Sequence, residues 1–378
     1  MKKDWEYKTL KEACIQLFAG GDVPKPYISK TKTKEFSVPI YSNGVENEGL
    51  YGYTNSAKIK EQAVTISARG TIGATFRRYE PFFPAIRLIT AVPNKEILSI
   101  DYLFYALKIL TIGNSGTSIP QLTIPNIKNI SIPIPPLSEQ KEIVEYLDSS
   151  FAKIDKLKEN AAKNLEEAKA LFQSALKDAL EPKEGWEEKT MGEICEIIRG
   201  KRFVRADIVE NGVPCIHYGD LYTHYGLSTT KTKGCINPEL AKKMRFANKN
   251  DVVVVQAGEN KWDIGVGVAY MGEEPAAVHD ACFILRHQQN PMYISYYLRS
   301  SRYHWYLVDY VHEGKICSFL KPALENAPIS LPPLSEQQSI VSFLDSLNEK
   351  VNTLQQNYSR ICDECDALKQ AILRQVFE

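Results

Sequence analysis

The strongest constraint on this sequence is an internal repeat. The stretch PPLSEQKEIVEYLD at Pro135–Asp148 returns as PPLSEQQSIVSFLD at Pro332–Asp345, 197 residues later. A second match, 181 residues apart, pairs Trp5, Thr9, Glu12 and Cys14 with Trp186, Thr190, Glu193 and Cys195. The segments between these anchors differ in sequence and length. Duplicated ends around divergent middles predict one scaffold, used twice, that presents two different surfaces.

Each copy divides into a mixed segment and a segment typical of a long helix. Residues 1–134 (head one) and 183–331 (head two) contain strand-like runs such as Ala63–Ala68 and Asp251–Ala257, separated by turn residues. Residues 138–180 and 335–377 contain no glycine or proline and predict long helices with Ser138 and Ser335 as N-caps. The predicted fold class is α/β: two globular α/β domains, each followed by a spacer helix within residues 135–182 and 332–378.

Apolar residues recur in both helical segments at alternating spacings of four and three, which predicts a coiled coil. The predicted interface is Ile143, Leu147, Ile154, Leu157, Ala161 and Leu171 with Ile340, Leu344, Leu347, Val351, Leu354, Tyr358, Ile361, Leu368 and Ile372. A helix of about 40 residues is ~60 Å long, more than one small domain covers. This length favours a coiled-coil pair, although packing of each helix on its own head stays an alternative. Because head two follows the end of helix one and precedes helix two, the pair is predicted to be antiparallel with a head at each end.

Composition and charge exclude several classes of protein. The chain has 46 basic and 46 acidic residues, and residues 1–135 carry 17 basic against 11 acidic side chains. No apolar run approaches the ~18–20 residues of a membrane span, and the opening residues lack the apolar core of a secretory signal. Eight scattered cysteines favour reduced thiols. We therefore expect a cytoplasmic protein without membrane association.

Motifs for catalysis and metal binding are weak. The sequence has no GxxxxGK[ST] phosphate loop, and neither Asn-Pro pair continues into the Asn/Asp-Pro-Pro-aromatic motif that amino-methyltransferases use. Cys362 and Cys365 form a single CxxC with Cys365 on the apolar stripe, which is typical of core packing. Cys282 enters an apolar strand-like run, which is typical of a buried thiol. The chain is predicted to be non-catalytic and to bind no metal or cofactor.

The duplicated PPLSEQ-plus-helix unit, placed after each of two dissimilar heads, resembles the specificity subunit of type I restriction–modification systems. The entry segments Trp5–Leu10 and Trp186–Met191 and the stretch ISARGTIG at Ile66–Gly73 are similar to elements of that family. The counterpart of this stretch, VQAGENKWDIGVG at Val255–Gly267, carries an insertion. The resemblance covers the whole chain.

This resemblance implies that each head is a target recognition domain for one half of a bipartite, asymmetric site in double-stranded DNA. It also implies that the spacer helices dock two methyltransferase (modification) subunits, with restriction/translocase subunits in the same complex. S-adenosylmethionine, ATP and Mg²⁺ would then be bound by those partner subunits. The alternative is a coiled-coil scaffold whose heads bind proteins.

Candidate DNA contacts follow from residue chemistry and loop position, since cations hold phosphates while amides and guanidinium groups read base edges. In head one the candidates are Asn43, Arg69 and Thr71 for bases and Lys30, Lys32 and Lys34 for phosphates. In head two they are His217, Tyr218, Asn260, Lys261 and Trp262 for bases and Arg202 and Arg205 for phosphates.

Overall fold

The computed structural model describes residues 5–25, 27–112 and 122–377. The chain divides into two compact units. Unit 1 is Met1–Ala162 with Tyr358–Glu378, and unit 2 is Lys163–Asn357. Each unit therefore holds one head, the start of one long helix and the end of the other.

The described helices include two long ones that match the sequence prediction within one residue at each end. The helices are α1 (Leu10–Ala13), α2 (Ile100–Ile112), α3 (Ile124–Ile127), α4 (Leu137–Ala179), α5 (Met191–Ile194), α6 (Tyr218–Thr223), α7 (Pro238–Ala241), α8 (Pro291–Tyr297), α9 (Ser301–Val308), α10 (Lys321–Glu325) and α11 (Leu334–Phe377). The long helices α4 and α11 begin directly after the Pro-Pro pairs. Ser138 and Ser335 lie inside their first turns, so the prediction that these serines are N-caps is wrong.

Head one is built from short, mostly antiparallel strands. They are β1 (Glu6–Thr9), β2 (Cys14–Ala19), β3 (Val38–Tyr41), β4 (Leu50–Thr54), β5 (Ala63–Ile66), β6 (Thr75–Arg78), β7 (Phe83–Pro84), β8 (Ile89–Pro93) and β9 (Ser131–Ile134). A four-stranded sheet has the order β2-β8-β5-β6, and a three-stranded sheet has the order β4-β3-β7. Helix α2 packs on the first sheet, and its buried Tyr102, Leu103 and Ala106 belong to the core of unit 1.

Head two repeats this plan with more strands. They are β10 (Glu187–Thr190), β11 (Cys195–Arg199), β12 (Ile208–Val209), β13 (Val213–Ile216), β14 (Ser228–Thr229), β15 (Gly234–Ile236), β16 (Phe246–Ala247), β17 (Val252–Val255), β18 (Ala257–Gly258), β19 (Gly267–Tyr270), β20 (Ala276–Val278), β21 (Cys282–His287), β22 (Cys317–Ser318) and β23 (Pro328–Leu331). One five-stranded sheet has the order β11-β21-β17-β19-β14 and the other β12-β15-β13-β20-β16. Strand β17 is buried at every residue, because sheet neighbours flank it on both edges and α8 covers it.

The repeated motifs of the sequence are the joints between head and helix. Strand β1 pairs with β9, and β10 pairs with β23, so the two ends of each head meet where its long helix begins. The Gln of each PPLSEQ motif is buried there. Gln140 Nε2 donates to the carbonyls of Pro135 (2.8 Å) and Ile97 (2.7 Å), and its Oε1 accepts from Ser99 N. Gln337 likewise donates to the Pro332 carbonyl (2.9 Å) and accepts from Asn290 N (3.0 Å).

The Asp that ends each repeated motif accepts a second hydrogen bond between head and helix. Tyr105 Oη donates to Asp148 (2.5 Å), and the equivalent Tyr296 Oη donates to Asp345 (2.7 Å). The matched Thr and Glu near each entry form capping boxes at α1 and α5. The hydrogen bonds from Thr9 hold the pKa of the Glu12 carboxyl below its usual value. The repeated residues therefore form the junction between head and helix, and the rest of each head differs between the two copies.

The two long helices run antiparallel where they pack inside each unit. In unit 1, Lys158 of α4 pairs with Asp366 of α11 (2.9 Å), and Asp155 pairs with Lys369. Residue numbers therefore rise along one helix in the direction in which they fall along the other. In unit 2, Gln173 and Leu176 of α4 line one cleft with Asn348 and Asn352 of α11. The predicted antiparallel arrangement is confirmed within both units.

The predicted heptad register is only partly correct. Ile143, Leu147, Ile154, Ile340 and Leu344 are buried, and Ala161, Leu347, Val351, Tyr358, Ile361 and Ile372 are half-buried. Leu157, Leu171, Leu354 and Leu368 are instead 40–67% exposed, so their assignment to the interface is wrong. The buried stripe of α4 continues through Phe151, Leu165 and Leu176, and Leu180, directly after the helix, is buried too. This drift away from the heptad follows the 3.6-residue turn of a straight helix, whereas a heptad needs supercoiling to 3.5.

Candidate nucleic-acid interface

Both heads build the same loop arrangement around a glycine. In head one, Gly20 N donates to the Leu88 carbonyl (2.8 Å), and in head two Gly200 N donates to the Cys282 carbonyl (2.9 Å). Each glycine leaves room only for hydrogen at Cα. An added Cβ would lie 2.6 Å from Pro84 O in head one and 2.1 Å from His279 O in head two. The loop after β2 or β11 is thus pressed against the segment before β8 or β21.

Two further turns complete this arrangement. We call the glycine loop and these two turns together the mouth of each head. One turn follows β3 or β13, and the other follows β5 or β17. In the latter, Ser67 N donates to Ala74 O, and the equivalent Val255 N donates to Val266 O. The ISARGTIG and VQAGENKWDIGVG stretches therefore occupy equivalent turns, and the second turn is longer.

The mouth of head two is a cleft of about 660 Å³ with charges of both signs. Exposed Arg202 and Arg205 come from the loop after β11, Glu259 from the turn after β18, and Asp280 and Lys315 from two other segments. Cations in such a cleft suit phosphates or guanine, and carboxylates accept hydrogen bonds from the amino group of cytosine.

The floor of this mouth is an aromatic cluster containing two histidines. The rings of His217 and His279 lie 4.8 Å apart, and those of Phe203 and Tyr218 lie within 5.2 Å of His279. Each histidine accepts a backbone N–H at Nδ1, from Gly219 (3.3 Å) and Ala281 (3.0 Å) respectively. Burial lowers the pKa of both rings, and the neighbouring His279 lowers that of His217 further. A ring nitrogen that accepts a hydrogen bond carries no proton, so Nδ1 of both rings is unprotonated.

The mouth of head one uses an asparagine to hold its turns together. Asn43 Nδ2 donates to the Ile86 carbonyl (2.6 Å), and Asn43 Oδ1 accepts from Ala68 N (2.7 Å). The backbone N–H groups of Ile86 and Arg87 donate to Gly21 and Gly20. Ile86 and Arg87 both have positive φ (52° and 60°), a backbone conformation that costs free energy for an isoleucine. These hydrogen bonds maintain it and hold the exposed Ile86 side chain at the mouth.

The structure gathers some of the predicted DNA contacts and separates others. Arg202, Arg205, His217 and Tyr218 line one mouth, and the turn with Arg69 and Thr71 belongs to the other. Asn43 already uses its amide within the protein, so its geometry fits a positioning role. Lys30 lies over the Tyr51 ring (4.2 Å), and Lys32 and Lys34 are exposed on the same loop. Asn260 caps its own turn through Trp262 N, Lys261 pairs with Glu313 (2.8 Å), and Trp262 stacks on His304 (4.9 Å) beside a different cleft.

Sequence reasoning missed several residues of the mouths. Glu259, Asp280 and Lys315 in head two and Ile86 and Arg87 in head one were not candidates, because they come from segments distant in sequence. Asp280 lies two residues before Cys282, which the sequence predicted to be a buried thiol. Cys282 itself is fully buried, and burial raises the pKa of its thiol, as expected for a structural cysteine.

We expect acidification to destabilise unit 2 selectively. All six histidines lie in residues 183–331. Burial lowers the pKa of His217, His279, His287 and His304. Since the unfolded rings titrate near pH 6.5, the stabilisation from these histidines is full above that pH. It falls as the pH drops through the unfolded and then the folded pKa values.

Hydrogen exchange at pH 7.5 and 5.5, corrected for intrinsic rates, should show lost protection in unit 2 only. His279→Gln should reduce the effect, and the exposed His224→Gln should not; an equal loss in unit 1 would contradict the explanation.

Comparison with known proteins is consistent with this architecture. The sequence profile of the family described as "Type I restriction modification DNA specificity domain" matches residues 2–167 and again 183–361. A Mycoplasma pneumoniae protein named as a type I specificity subunit, S.MpnORF89P, is 35% identical over 165 residues. That match covers 44% of this chain and 49% of the relative, so the chain spans about half the length of that protein. The Methanocaldococcus jannaschii MjaIX specificity subunit is 24% identical over 92% of this chain and 88% of its own.

Solved structures share the fold. A chain from a study of complex assembly and conformational transition in the type I R-M system superposes with a TM-score of 0.75 at 19% identity, covering 98% of this chain and 97% of its own. The HsdS subunit of Thermoanaerobacter tengcongensis superposes with a TM-score of 0.58 at 19% identity, covering 99% and 96%.

A repeated α/β head with a long helix after each copy defines a two-headed protein of the type I specificity class. The chain belongs to the type I restriction modification DNA specificity domain family. Within the described ranges, no helix is long and apolar enough to cross a bilayer. In the same ranges, no three histidine, cysteine or acidic side chains are grouped as metal ligands.

Proposed function

We propose that this chain is the sequence-reading subunit of a type I restriction–modification complex and reads a bipartite site in double-stranded DNA, one half with each head. One observation carries the proposal: the two mouths share a backbone arrangement and differ in the side chains placed on it. Shared hydrogen bonds at Gly20 and Gly200 support turns that carry Arg69, Thr71 and Ile86 in one head and Arg202, His217 and Asp280 in the other. Such a pair suits two unrelated half-sites.

The chain supplies recognition, and catalysis belongs to its partners. Methyltransferase subunits and restriction/translocase subunits, which would bind S-adenosylmethionine, ATP and Mg²⁺, are proposed to dock on the spacer helices. Family membership and the relative named for type I complex assembly support these partners. The competing function, a scaffold with protein-binding heads, requires no sequence-selective DNA binding. Mapping methylated positions in genomic DNA after co-expression with a methyltransferase subunit would identify the site and separate the two functions.

The cations at the mouth of head two should contribute to DNA affinity through phosphates. Arg202→Ala and Arg205→Ala should each weaken binding to the mapped duplex. Each lost phosphate contact should reduce the slope of log K against log salt concentration by about 0.9. Fluorescence anisotropy between 50 and 200 mM salt measures this slope. Lys249→Ala is the matched control, since Lys249 pairs with Glu273 outside the mouth. Unchanged slopes for both arginine variants would count against head two binding DNA through this cleft.

A further inference from the structure

Unit 2 contains a second cleft, of about 570 Å³, which the mouth of head two does not include. It lies where head two packs on the long helices. Its walls combine aromatic side chains, amides and one guanidinium: Phe172, Tyr296, Trp262, Trp305, Gln173, Asn348, Asn352 and Arg299. Trp262 and Trp305 are 50% and 63% exposed, so both rings offer open surface at the cleft.

The equivalent place in unit 1 is filled. Subtracting or adding the repeat offset relates Asn348 to Phe151, Asn352 to Asp155, and Phe172 to Lys369. In unit 1, Phe151 is buried against Tyr105 (5.5 Å between ring centroids), and Asp155 pairs with Lys369, which lies over the Phe151 ring. The same scaffold position is therefore closed by an aromatic ring and an ion pair in one unit and left open, with amides, in the other.

The wall of the open cleft holds polar atoms that have no partner. Among the described residues, the buried side-chain atoms without a hydrogen-bond partner include Tyr303 Oη, His304 Nε2 and Arg299 Nε, and all three of these residues line this cleft. Tyr303 is only 1% exposed. A buried polar atom without a partner costs free energy, so a polar ligand that reaches these atoms would be stabilised by pairing with them.

The lining selects the chemistry of an occupant. Exposed indole rings suit a planar base, and the amides of Gln173, Asn348 and Asn352 offer donors and acceptors to its edge. Arg299 supplies positive charge, while the lining includes no aspartate or glutamate to repel an anion. An apolar peptide would leave the amides and the guanidinium unsatisfied, whereas a nucleotide carries a ring, a polar edge and a phosphate together.

We propose that this cleft binds one nucleotide, with the base against Trp262 and Trp305 and the phosphate towards Arg299. Among the described residues, the equivalent position in unit 1 is filled, so the repeat provides no second copy of this site, which is separate from the target-reading mouths. The nucleotide has two possible sources: a free nucleotide or a base of a single DNA strand.

The experiment uses the full chain and three probes: ATP, dAMP and a single-stranded tetranucleotide. Calorimetric titration should show saturable binding with a stoichiometry of one. Asn348→Phe, which installs the residue found at the equivalent position of unit 1, and Trp305→Ala should weaken it about tenfold. Tyr146→Ala, an exposed aromatic residue outside the cleft, is the matched control and should bind as the unsubstituted chain does.

The outcomes are distinguishable. Saturable binding of ATP or dAMP that either variant weakens supports a free nucleotide, and binding of the tetranucleotide alone supports a strand. No saturable binding of any probe, or binding that both variants leave unchanged, overturns the proposal. Trp305→Ala keeps the test valid if Asn348→Phe fails to fold, because Trp305 is largely exposed. Duplex binding through the mouths, measured in parallel, should be the same in all variants, so failure here is separate from failure of the proposed function.

Discussion

Replacing Gly200 with alanine should abolish selective DNA binding by head two. The added Cβ would lie 2.1 Å from His279 O and 2.5 Å from Val278 O, and both atoms belong to the backbone that carries Asp280 into the mouth. The backbone must move, because neither oxygen is on a flexible side chain. Overpacking of this kind costs about 1–3 kcal/mol, and displaced mouth residues would in addition lose the base contacts proposed for them.

Each head supplies a matched glycine control. Gly226→Ala adds a Cβ with nothing within 4 Å and should leave DNA binding unchanged. In head one, Gly20→Ala should disturb the other half-site, because its Cβ would lie 2.6 Å from Pro84 O, whereas neighbouring Gly21→Ala has open space. Anisotropy with duplexes altered in one half-site at a time assigns each defect to a head. Normal selectivity in Gly200→Ala would show that this loop contact does not position the mouth.

Substituting the buried glutamine of either PPLSEQ motif should produce the largest loss of stability. Gln140→Met keeps the side-chain length but leaves the carbonyls of Pro135 and Ile97 and the Ser99 N–H without their partner. Each buried polar group left unsatisfied costs about 1–3 kcal/mol, so the free energy of unfolding of unit 1 should fall by several times RT. Gln337→Met should act in the same way on unit 2.

Urea unfolding followed by hydrogen exchange assigns each loss to its unit. Gln355→Met, at an exposed position of α11, is the matched control and should change the free energy of unfolding by less than about 0.5 kcal/mol. If Gln140→Met were as stable as this control, the repeated glutamine would need an explanation other than the joint between head and helix.

The features that the sequence predicted well are local or repeated ones. The long helices were predictable because glycine and proline are absent between clear boundaries. Strands β5 and β17 were predictable because their apolar runs are continuous and end at turn residues. The predicted coiled-coil interface departs from the observed one because spacings of four and three fit both a 3.5- and a 3.6-residue period over short stretches. Leu157 and Leu368 distinguish the two periods only once their exposure is known.

The mouths were only partly predictable, for a different reason. Arg202 and His217 stood out by residue type, but Glu259, Asp280 and Lys315 reach the same cleft through contacts between distant segments. No periodicity encodes which turns meet. Asn43 shows the converse case: its residue type and loop position predicted a base contact, while its amide is engaged in holding two loops.

Each unit contains the end of the long helix that begins in the other unit. The two units therefore complete their cores in a fixed order during synthesis. Unit 2 is one continuous stretch, Lys163–Asn357, and can complete its core as soon as that stretch has left the ribosome. The core of unit 1 includes Cys365, Leu373 and Phe377, and the Phe377 ring packs on Tyr102 (5.2 Å). Although head one is translated first, it must keep apolar surface uncovered until the last turns of α11 are made. Delayed burial of this kind exposes a nascent chain to aggregation, so the half that is made first is the half whose core is completed last.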